Sequence, residues 1–179
     1  MILLLDGTAT LSKGIQFFAK LKYGKNSPYF ISHSGHFDED IDSNLIVYEE
    51  NYPGKYMPVR ADIDYFNAKA DVYVGSFITP YTPEQLVELR KQSEILSGST
   101  KLLDYSYSSY PDFIVDSIWY KLFKKDIWIT GEPNGRTCSQ AEAWLAQIVA
   151  NKLMKKEWYK YMPCDIAMSD EVTVRKLIY

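Results

Sequence analysis

The chain has 179 residues, of which 46% are hydrophobic and 24% are charged. These values are typical of one globular domain with a substantial core, and the length is too short for two comfortable domains. The net charge is −3, and no cluster of lysine and arginine is interleaved with aromatic residues. Nucleic acid is therefore not expected as a partner.

The N-terminus carries the short apolar run Ile2–Leu5, which Asp6 and Gly7 follow at once. This run is too short for a signal-peptide core or a membrane span, so we predict a buried strand in a cytoplasmic protein. A bacterial and a phage origin would both fit, and the sequence leaves the host open. The two cysteines, Cys138 and Cys164, form neither a disulfide framework nor a CxxC zinc pattern. Two free thiols are expected, with no metal and no other cofactor.

The spacing of apolar residues, caps and turns predicts one α+β domain over residues 1–179, without an internal repeat or a linker. The first predicted elements are a strand at 2–5, a helix at 10–22, and antiparallel neighbouring strands at 30–37 and 44–50 joined by an acidic turn. They are followed by an extended piece at 56–59, a short helix at 63–68, a strand at 71–77, a helix from a capping box at 82–85 to Gly98, and a loop at 102–110. The last part is predicted to contain a helix at 113–123, an extended piece at 127–130, a helix from 138 to about 155, a short segment after 163–165, and a closing strand at 172–178.

Cys138 stands at the predicted start of a helix. Thr137 is a good N-cap, and Gln140 three residues later can complete a capping box. Amide groups and the helix dipole stabilise an anion at this position, so the thiol of Cys138 should ionise more easily than a free thiol. A nucleophilic cysteine would be placed here. The alternative is a buried, inert thiol, which is the commoner role of a cysteine inside a protein.

The two histidines, His33 and His36, lie on the same predicted strand, where side chains alternate between faces. His33 shares a face with Phe37, so we predict that it points inward or towards a cleft, while His36 lies at the surface. An inward histidine is also often a hydrogen-bonded core residue with no catalytic role.

On the partner strand, Glu49 shares a face with Leu45 and Val47, whereas Glu50 is on the other face. A partly buried carboxylate needs a partner, and a neighbouring imidazole would provide one. Glu49 is therefore the better candidate and Glu50 the solvated residue, provided that the strand has no bulge. Glu49 as a solvated strand-end residue is the alternative.

A thiol, an imidazole and a carboxylate together are the standard means of producing a thiolate nucleophile. The segments that carry them resemble the circularly permuted papain-fold cysteine amidases of the NlpC-like superfamily, in the bacterial YiiX-like branch related to lecithin–retinol acyltransferase. The matching segments are the strand, Gly turn and helix at 3–7 and 12–18, Ser32-His33-Ser34-Gly35, Val47-Tyr48-Glu49 with Gly54, Leu103-Asp104-Tyr105, Cys138-Ser139-Gln140, and Pro163-Cys164-Asp165-Ile166. Two departures are Gln140, where glutamate is common, and the long acidic turn at 38–43.

The resemblance implies a circularly permuted papain-like fold, with an antiparallel sheet packed against helices and the histidine strand before the cysteine helix. It implies Cys138 as nucleophile, His33 as base and Glu49 as the group that orients His33. The implied reaction is hydrolysis or transfer at a carbonyl, often at an amide of peptidoglycan stem peptides and sometimes at a lipid ester.

The substrate is expected to be a small peptide or a cell-wall fragment, with Tyr105, Tyr107, Asp6 and Gly7 as candidate binding residues; ordinary surface tyrosines are the alternative. A lipid acyl substrate would require a membrane-facing segment. The amphipathic stretch Phe113–Phe123 with Lys124 and Lys125 is the one candidate, although a core helix is favoured and a membrane partner is not expected. A non-catalytic binding module on the same scaffold is a further alternative. The sequence leaves the oligomeric state open.

Overall fold

The computed structural model describes residues 1–7, 9–24, 30–51, 55–67, 71–98, 108–133 and 135–177. The strands are β1 (Ile2–Asp6), β2 (His33–Glu39), β3 (Leu45–Asn51), β4 (Lys55–Arg60), β5 (Asp71–Phe77) and β6 (Val172–Lys176). The helices are α1 (Thr10–Tyr23), α2 (Ile63–Asn67), α3 (Pro83–Gly98), α4 (Ser109–Phe123), α5 (Cys138–Ala150) and α6 (Pro163–Ala167), with a 3₁₀ turn at Trp158–Lys160.

The strands form a six-stranded sheet in the order β4-β3-β2-β1-β5-β6, and every pair in it is antiparallel. The predicted α+β architecture is confirmed. The apolar run at the N-terminus becomes β1, which lies inside the sheet between β2 and β5 and is buried along its length. The predicted pairing of the histidine strand with its successor is present, with Gly35 opposite Glu49.

Both faces of the sheet are covered, because alternate side chains enter two different parts of the core. On one face, Leu3, Leu5 and Val47 pack with aromatic residues of α2. On the other face, Ile2 and Leu4 pack against α5. Further along that second face, tyrosines of β3 and β4 meet α3 and α5. Residues on both faces of β2 and β3 are therefore buried where the two strands pass under these helices, as Val47 and Tyr48 are.

Local signals predicted several boundaries well. The Thr82–Gln85 capping box is present: the backbone N–H of Thr82 donates to Gln85 Oε1 at 2.9 Å, and the N–H of Gln85 donates to Thr82 Oγ1 at 3.3 Å. These two bonds pair N–H groups that the first turn of α3 leaves without a helical acceptor.

The helix that begins at Cys138 is shorter than predicted and ends at Ala150. Asn151 adopts a left-handed conformation with φ 49° and caps it. The Gln147 side chain then donates to the carbonyls of Leu153 and Lys156, which holds the following turn against the helix.

The helix predicted at 113–123 is present as α4, which starts earlier, at Ser109. It buries Phe113, but most of its other buried residues are polar, so its inner side is less apolar than that of the core helix that was expected. Residues 127–130 belong to no strand: Asp116 accepts from the N–H of Ile127 at 2.8 Å, and Asp112 accepts from the N–H of Ile129 at 3.0 Å.

Candidate active site

The start of α5 is fixed firmly to the rest of the fold. The predicted capping box is present, and the backbone N–H of Thr137 donates to Gln140 Oε1 at 2.8 Å. Gln140 Nε2 also donates to the carbonyl of Tyr159 at 2.6 Å, and Ser139 Oγ donates to the carbonyl of Tyr161 at 2.7 Å. Cys138, the first residue of the helix, is thereby held in a buried position with its thiol free of any disulfide.

His33 is the first residue of β2, where the sheet ends, and its side chain is partly exposed. Its Nε2 atom lies 2.8 Å from Glu49 Oε2. The hydroxyl of Tyr65, on α2, donates to the same carboxylate oxygen at 2.9 Å. Glu49 is therefore held in position from two sides, and it fixes the orientation of the imidazole ring. No feature of the sequence pointed to Tyr65.

The thiol of Cys138 and the ring of His33 lie close enough for each to shift the pKa of the other. Because Glu49 occupies Nε2 of the ring, Nδ1 is the nitrogen left for the sulfur. Burial alone would raise the pKa of the Cys138 thiol, but the charge of His33 and hydrogen bonds from His33 and from the backbone N–H groups of Ser34 and Ser139 lower it. Burial alone would lower the pKa of His33, but Cys138 and Glu49 raise it. A thiolate–imidazolium pair is the form that this arrangement favours.

Gly35 makes the approach of Glu49 to His33 possible. An added Cβ at Gly35 would lie 2.5 Å from the carbonyl oxygen of Tyr48, 3.1 Å from Cβ of Glu49 and 3.2 Å from a methyl group of Val47. Because Gly35 has no side chain, space remains on this face of the β2–β3 pair for the Glu49 carboxylate to reach His33.

Substitution Gly35→Ala is expected to destabilise the fold by about 1–3 kcal/mol, because the clash with the Tyr48 carbonyl requires a backbone shift. Urea unfolding measures this loss. Gly14→Ala in α1 is the matched control: no atom lies within 4 Å of an added Cβ there, so alanine should stabilise that helix by up to about 1 kcal/mol. Equal effects of the two substitutions would contradict the close-packing argument.

The prediction that Glu50 is solvated is wrong. Its side chain is 1% exposed and faces the α5 side of the sheet. Within the described part of the chain, neither carboxylate oxygen of Glu50 has a hydrogen-bond partner, and the same holds for the buried hydroxyl of Ser34 on the neighbouring strand. Burial and the nearby Cys138 raise the pKa of Glu50 to about 9, against the opposing influence of Arg136 and His33. At neutral pH, Glu50 is a neutral acid beside the thiol.

Arg136 lies two residues before the cysteine and is another site residue that the sequence did not single out. Its guanidinium carbon lies 4.5 Å from the ring centroid of Trp144 and 4.8 Å from that of Trp158. Stacking between two aromatic rings fixes this buried cation, and Glu50 contributes a neighbouring carboxyl group.

His36 was predicted at the surface, and this prediction is wrong as well. The ring is buried, with Nδ1 3.1 Å from Glu142 Oε1 and 3.1 Å from the hydroxyl of Tyr56. Ser93 Oγ lies 3.1 Å from Nε2. Each ring nitrogen thus has a polar partner, as a buried imidazole requires. His36 and Glu142 form a second His–Glu pair that ties β2 to α5 and lies apart from Cys138.

The remaining candidate residues divide into two groups. Asp6 ends β1 and Gly7 follows it, and both bond within the fold: the Gln16 side chain contacts Asp6 and donates to the carbonyl of Gly7 at 2.8 Å, while Ser32 Oγ accepts from the N–H of Gly7 at 2.9 Å. Tyr105 and Tyr107 lie outside the described residues. Binding of substrate by these four residues stays a prediction.

The second cysteine, Cys164, lies in α6 and is fully buried. Burial and the neighbouring Asp165 raise the pKa of its thiol above the ordinary range. Asp165 itself accepts from the N–H of Met162 at 2.9 Å and pairs with Lys22 and Lys156. The segment around Cys164 thus has a structural role in starting α6.

The fold is similar to a solved structure, the crystal structure of metalloprotein yiiX from Escherichia coli O157:H7, DUF1105. The TM-score is 0.52 with 15% sequence identity, over 97% of this chain and 93% of that one. No protein-family model matches the chain, and no curated protein matches it in sequence. At this level of identity the similarity establishes a shared α+β fold.

Proposed function

We propose that this protein is a thiol hydrolase that cleaves an amide bond in a small peptide or a peptidoglycan-derived fragment through Cys138, His33 and Glu49. One observation carries the proposal: Glu49 lies 2.8 Å from Nε2 of His33, and His33 and Cys138 shift the pKa of each other, so sulfur, imidazole and carboxylate from three separate elements meet at one place. Activation of a thiol nucleophile requires these three groups together.

The proposed reaction has two stages. The Cys138 thiolate attacks the carbonyl carbon of the substrate, and the electron pair of the C=O bond moves to oxygen. When the tetrahedral intermediate collapses, the C–N bond breaks and the departing amine takes the proton of the His33 imidazolium. The neutral ring then removes a proton from water, which attacks the acyl-enzyme and releases the carboxylic acid and the thiolate.

The start of α5 supplies a donor for the negatively charged oxygen of the intermediate. The backbone N–H of Cys138 belongs to the first turn of the helix, where amides have no helical acceptor and the dipole favours an anion. A well-aimed donor of this kind contributes about 3 kcal/mol to a transition state.

The order of the elements supports a circularly permuted papain-like class for this fold. The histidine strand β2 and the glutamate strand β3 precede the cysteine helix α5 in the chain. This order matches the permuted enzymes that the sequence resembles, in which the histidine strand precedes the cysteine helix.

The described residues contain no group of three or more His, Cys, Asp and Glu side chains placed to hold a metal ion. The His33 ring is engaged by Glu49 at one nitrogen and by Cys138. The similar structure is that of a metalloprotein, but the described residues of this chain offer no matching ligand set. Each proposed step is assigned to side chains of this chain.

A second candidate function is a binding module in which the three side chains are present but perform no chemistry. Alkylation by iodoacetamide distinguishes the two. For the hydrolase, Cys138 is expected to react with a pH midpoint clearly below that of a free thiol, because His33 and two backbone amides stabilise the thiolate.

Cys164 provides the internal comparison, since it is buried and its pKa is raised. Peptide mapping by mass spectrometry after brief alkylation should find label on Cys138 long before Cys164. The substitution His33→Ala should return the midpoint of Cys138 to the free-thiol range or above it. Equal, slow labelling of both cysteines would favour the binding module.

A further inference from the structure

Helix α4 buries a largely polar side and exposes apolar residues towards its C-terminal end. Its buried residues are Ser109, Asp112, Phe113, Asp116 and Ser117, and Phe113 belongs to the core. Asp116 accepts a hydrogen bond from Lys22 of α1 at 2.6 Å, and Asp112 accepts hydrogen bonds from backbone amides of the segment after α4. Phe113 and these polar contacts attach the helix to the protein, whereas the large apolar residues of its last turns stay exposed.

The outward side of the helix carries four large apolar residues, which we name the α4 apolar face: Ile118, Trp119, Leu122 and Phe123. Their exposed fractions are 46%, 39%, 66% and 53%. Phe17 of α1, 61% exposed, shares a groove with lysines of the α4 C-terminus. Contiguous apolar residues at this exposure are uncommon on a protein that has no partner there.

Lysines lie close in the chain to the α4 apolar face and in the groove beside it. Lys20, Lys121 and Lys124 line the groove between α1 and α4, which has a volume of about 560 Å³, and Lys125 follows directly in the chain. The nearest acid in sequence, Asp126, is already paired with Lys22 at 2.8 Å and with Lys156 at 3.8 Å. The positive charge beside the apolar face is therefore not neutralised by that carboxylate.

We propose that the α4 apolar face docks the protein onto the surface of an anionic membrane. Apolar side chains that include a tryptophan, with lysines at their border, are the combination that an interfacial helix uses to enter the headgroup region of a bilayer. The lysines then meet acidic lipid headgroups.

The observations favour a lipid surface over a second copy of the chain. In a symmetric dimer through this face, the lysines of the two copies would come together, and like charges in an interface oppose association. An anionic bilayer satisfies the apolar and the cationic residues at once. Among the described helices, none has the length and hydrophobicity needed to cross a bilayer, which makes the contact peripheral.

Co-sedimentation with vesicles tests the proposal on the full chain and without any substrate, so its result does not depend on the proposed hydrolase activity. Binding is expected to vesicles of phosphatidylcholine mixed with phosphatidylglycerol and to be much weaker with phosphatidylcholine alone. High salt should reduce it. The double variant Lys121→Gln, Lys124→Gln should lower the partition coefficient by roughly 30-fold, since each lysine near an anionic surface contributes about a fivefold factor.

The double variant Leu122→Ser, Phe123→Ser should also lose binding, and it changes exposed residues only, so the fold should be kept. Leu86→Ser, Val87→Ser on α3 is its matched control, because those residues are likewise exposed, at 49% and 71%. The proposal would be overturned if the Leu122→Ser, Phe123→Ser variant bound anionic vesicles as strongly as the Leu86→Ser, Val87→Ser control. The proposal would also be overturned if the protein did not bind anionic vesicles but self-associated in sedimentation experiments, and if the Leu122→Ser, Phe123→Ser change abolished that self-association.

Discussion

Substitution Cys138→Ala is expected to reduce hydrolysis by at least about 10⁴-fold, the scale on which loss of a triad nucleophile acts. Without the sulfur no acyl-enzyme can form, and the remaining His33–Glu49 pair has no nucleophile to activate. The measurement is product release by the purified protein from muropeptides and from acyl-glycerol esters.

Cys164→Ala is the matched control, because it makes the same chemical change at a buried thiol away from His33. It should keep activity close to that of the wild type. Cleavage of muropeptides by the wild type alone would assign the amide substrate, whereas cleavage of the acyl-glycerol ester alone would assign the lipid acyl hydrolase alternative. Full activity of Cys138→Ala on any substrate that the wild type cleaves would refute the nucleophile assignment.

Substitution Glu50→Gln is expected to stabilise the protein at neutral pH. The pKa of Glu50 is raised from an ordinary value of 4.5 to about 9 in the folded state. Between these two values the folded protein binds more protons than the unfolded chain, so rising pH lowers the free energy of unfolding. The free energy of unfolding falls by about 1.4 kcal/mol per pH unit, and this decrease ends once the pH passes the folded-state pKa of Glu50.

Glutamine reproduces the neutral acid without titrating. The unfolding free energy of Glu50→Gln should therefore exceed that of the wild type by about 3 kcal/mol at pH 7, and the difference should vanish below about pH 4.5. Urea unfolding at a series of pH values measures it. An advantage of Glu50→Gln that does not change with pH would contradict the raised pKa of Glu50.

Glu49, the residue next to Glu50, provides a control in which the expected change in stability has the opposite sign. Glu49 is as deeply buried as Glu50, but its carboxylate bonds to His33 and Tyr65. Glu49→Gln should lower stability, because it removes the negative charge that pairs with the imidazolium. It should also lower turnover by about 10²-fold or more, since the ring of His33 loses the partner that orients it.

The loss of stability that the buried Glu50 causes is informative about the candidate active site. A buried carboxyl group without a hydrogen-bond partner among the described residues is destabilising, and the fold places it beside the thiol rather than elsewhere in the core. Perturbed carboxyl groups of this kind cluster at functional sites. This agrees with the proposed role of Cys138, and no hydrophobic pattern in the sequence marked it.

Sequence alone predicted the elements whose signals are local. The capping residues of α3 and α5 lie within three positions of each other, so the first turn of each helix is specified by its own side chains. The pairing of β2 with β3 followed from two consecutive predicted strands joined by an acidic turn. The end of α5 was missed, since it depends on Gln147 bonding to a turn that folds back on the helix.

For this protein, the sequence by itself determined the α+β class, the antiparallel neighbours β2 and β3, and the choice of Cys138, His33 and Glu49 as a candidate group. The tertiary structure decided what surrounds them. Alternation along a strand predicts which side chains share a face, but it does not tell whether the second face meets water. Here α3 and α5 cover that face, and so His36 and Glu50 are buried instead of solvated.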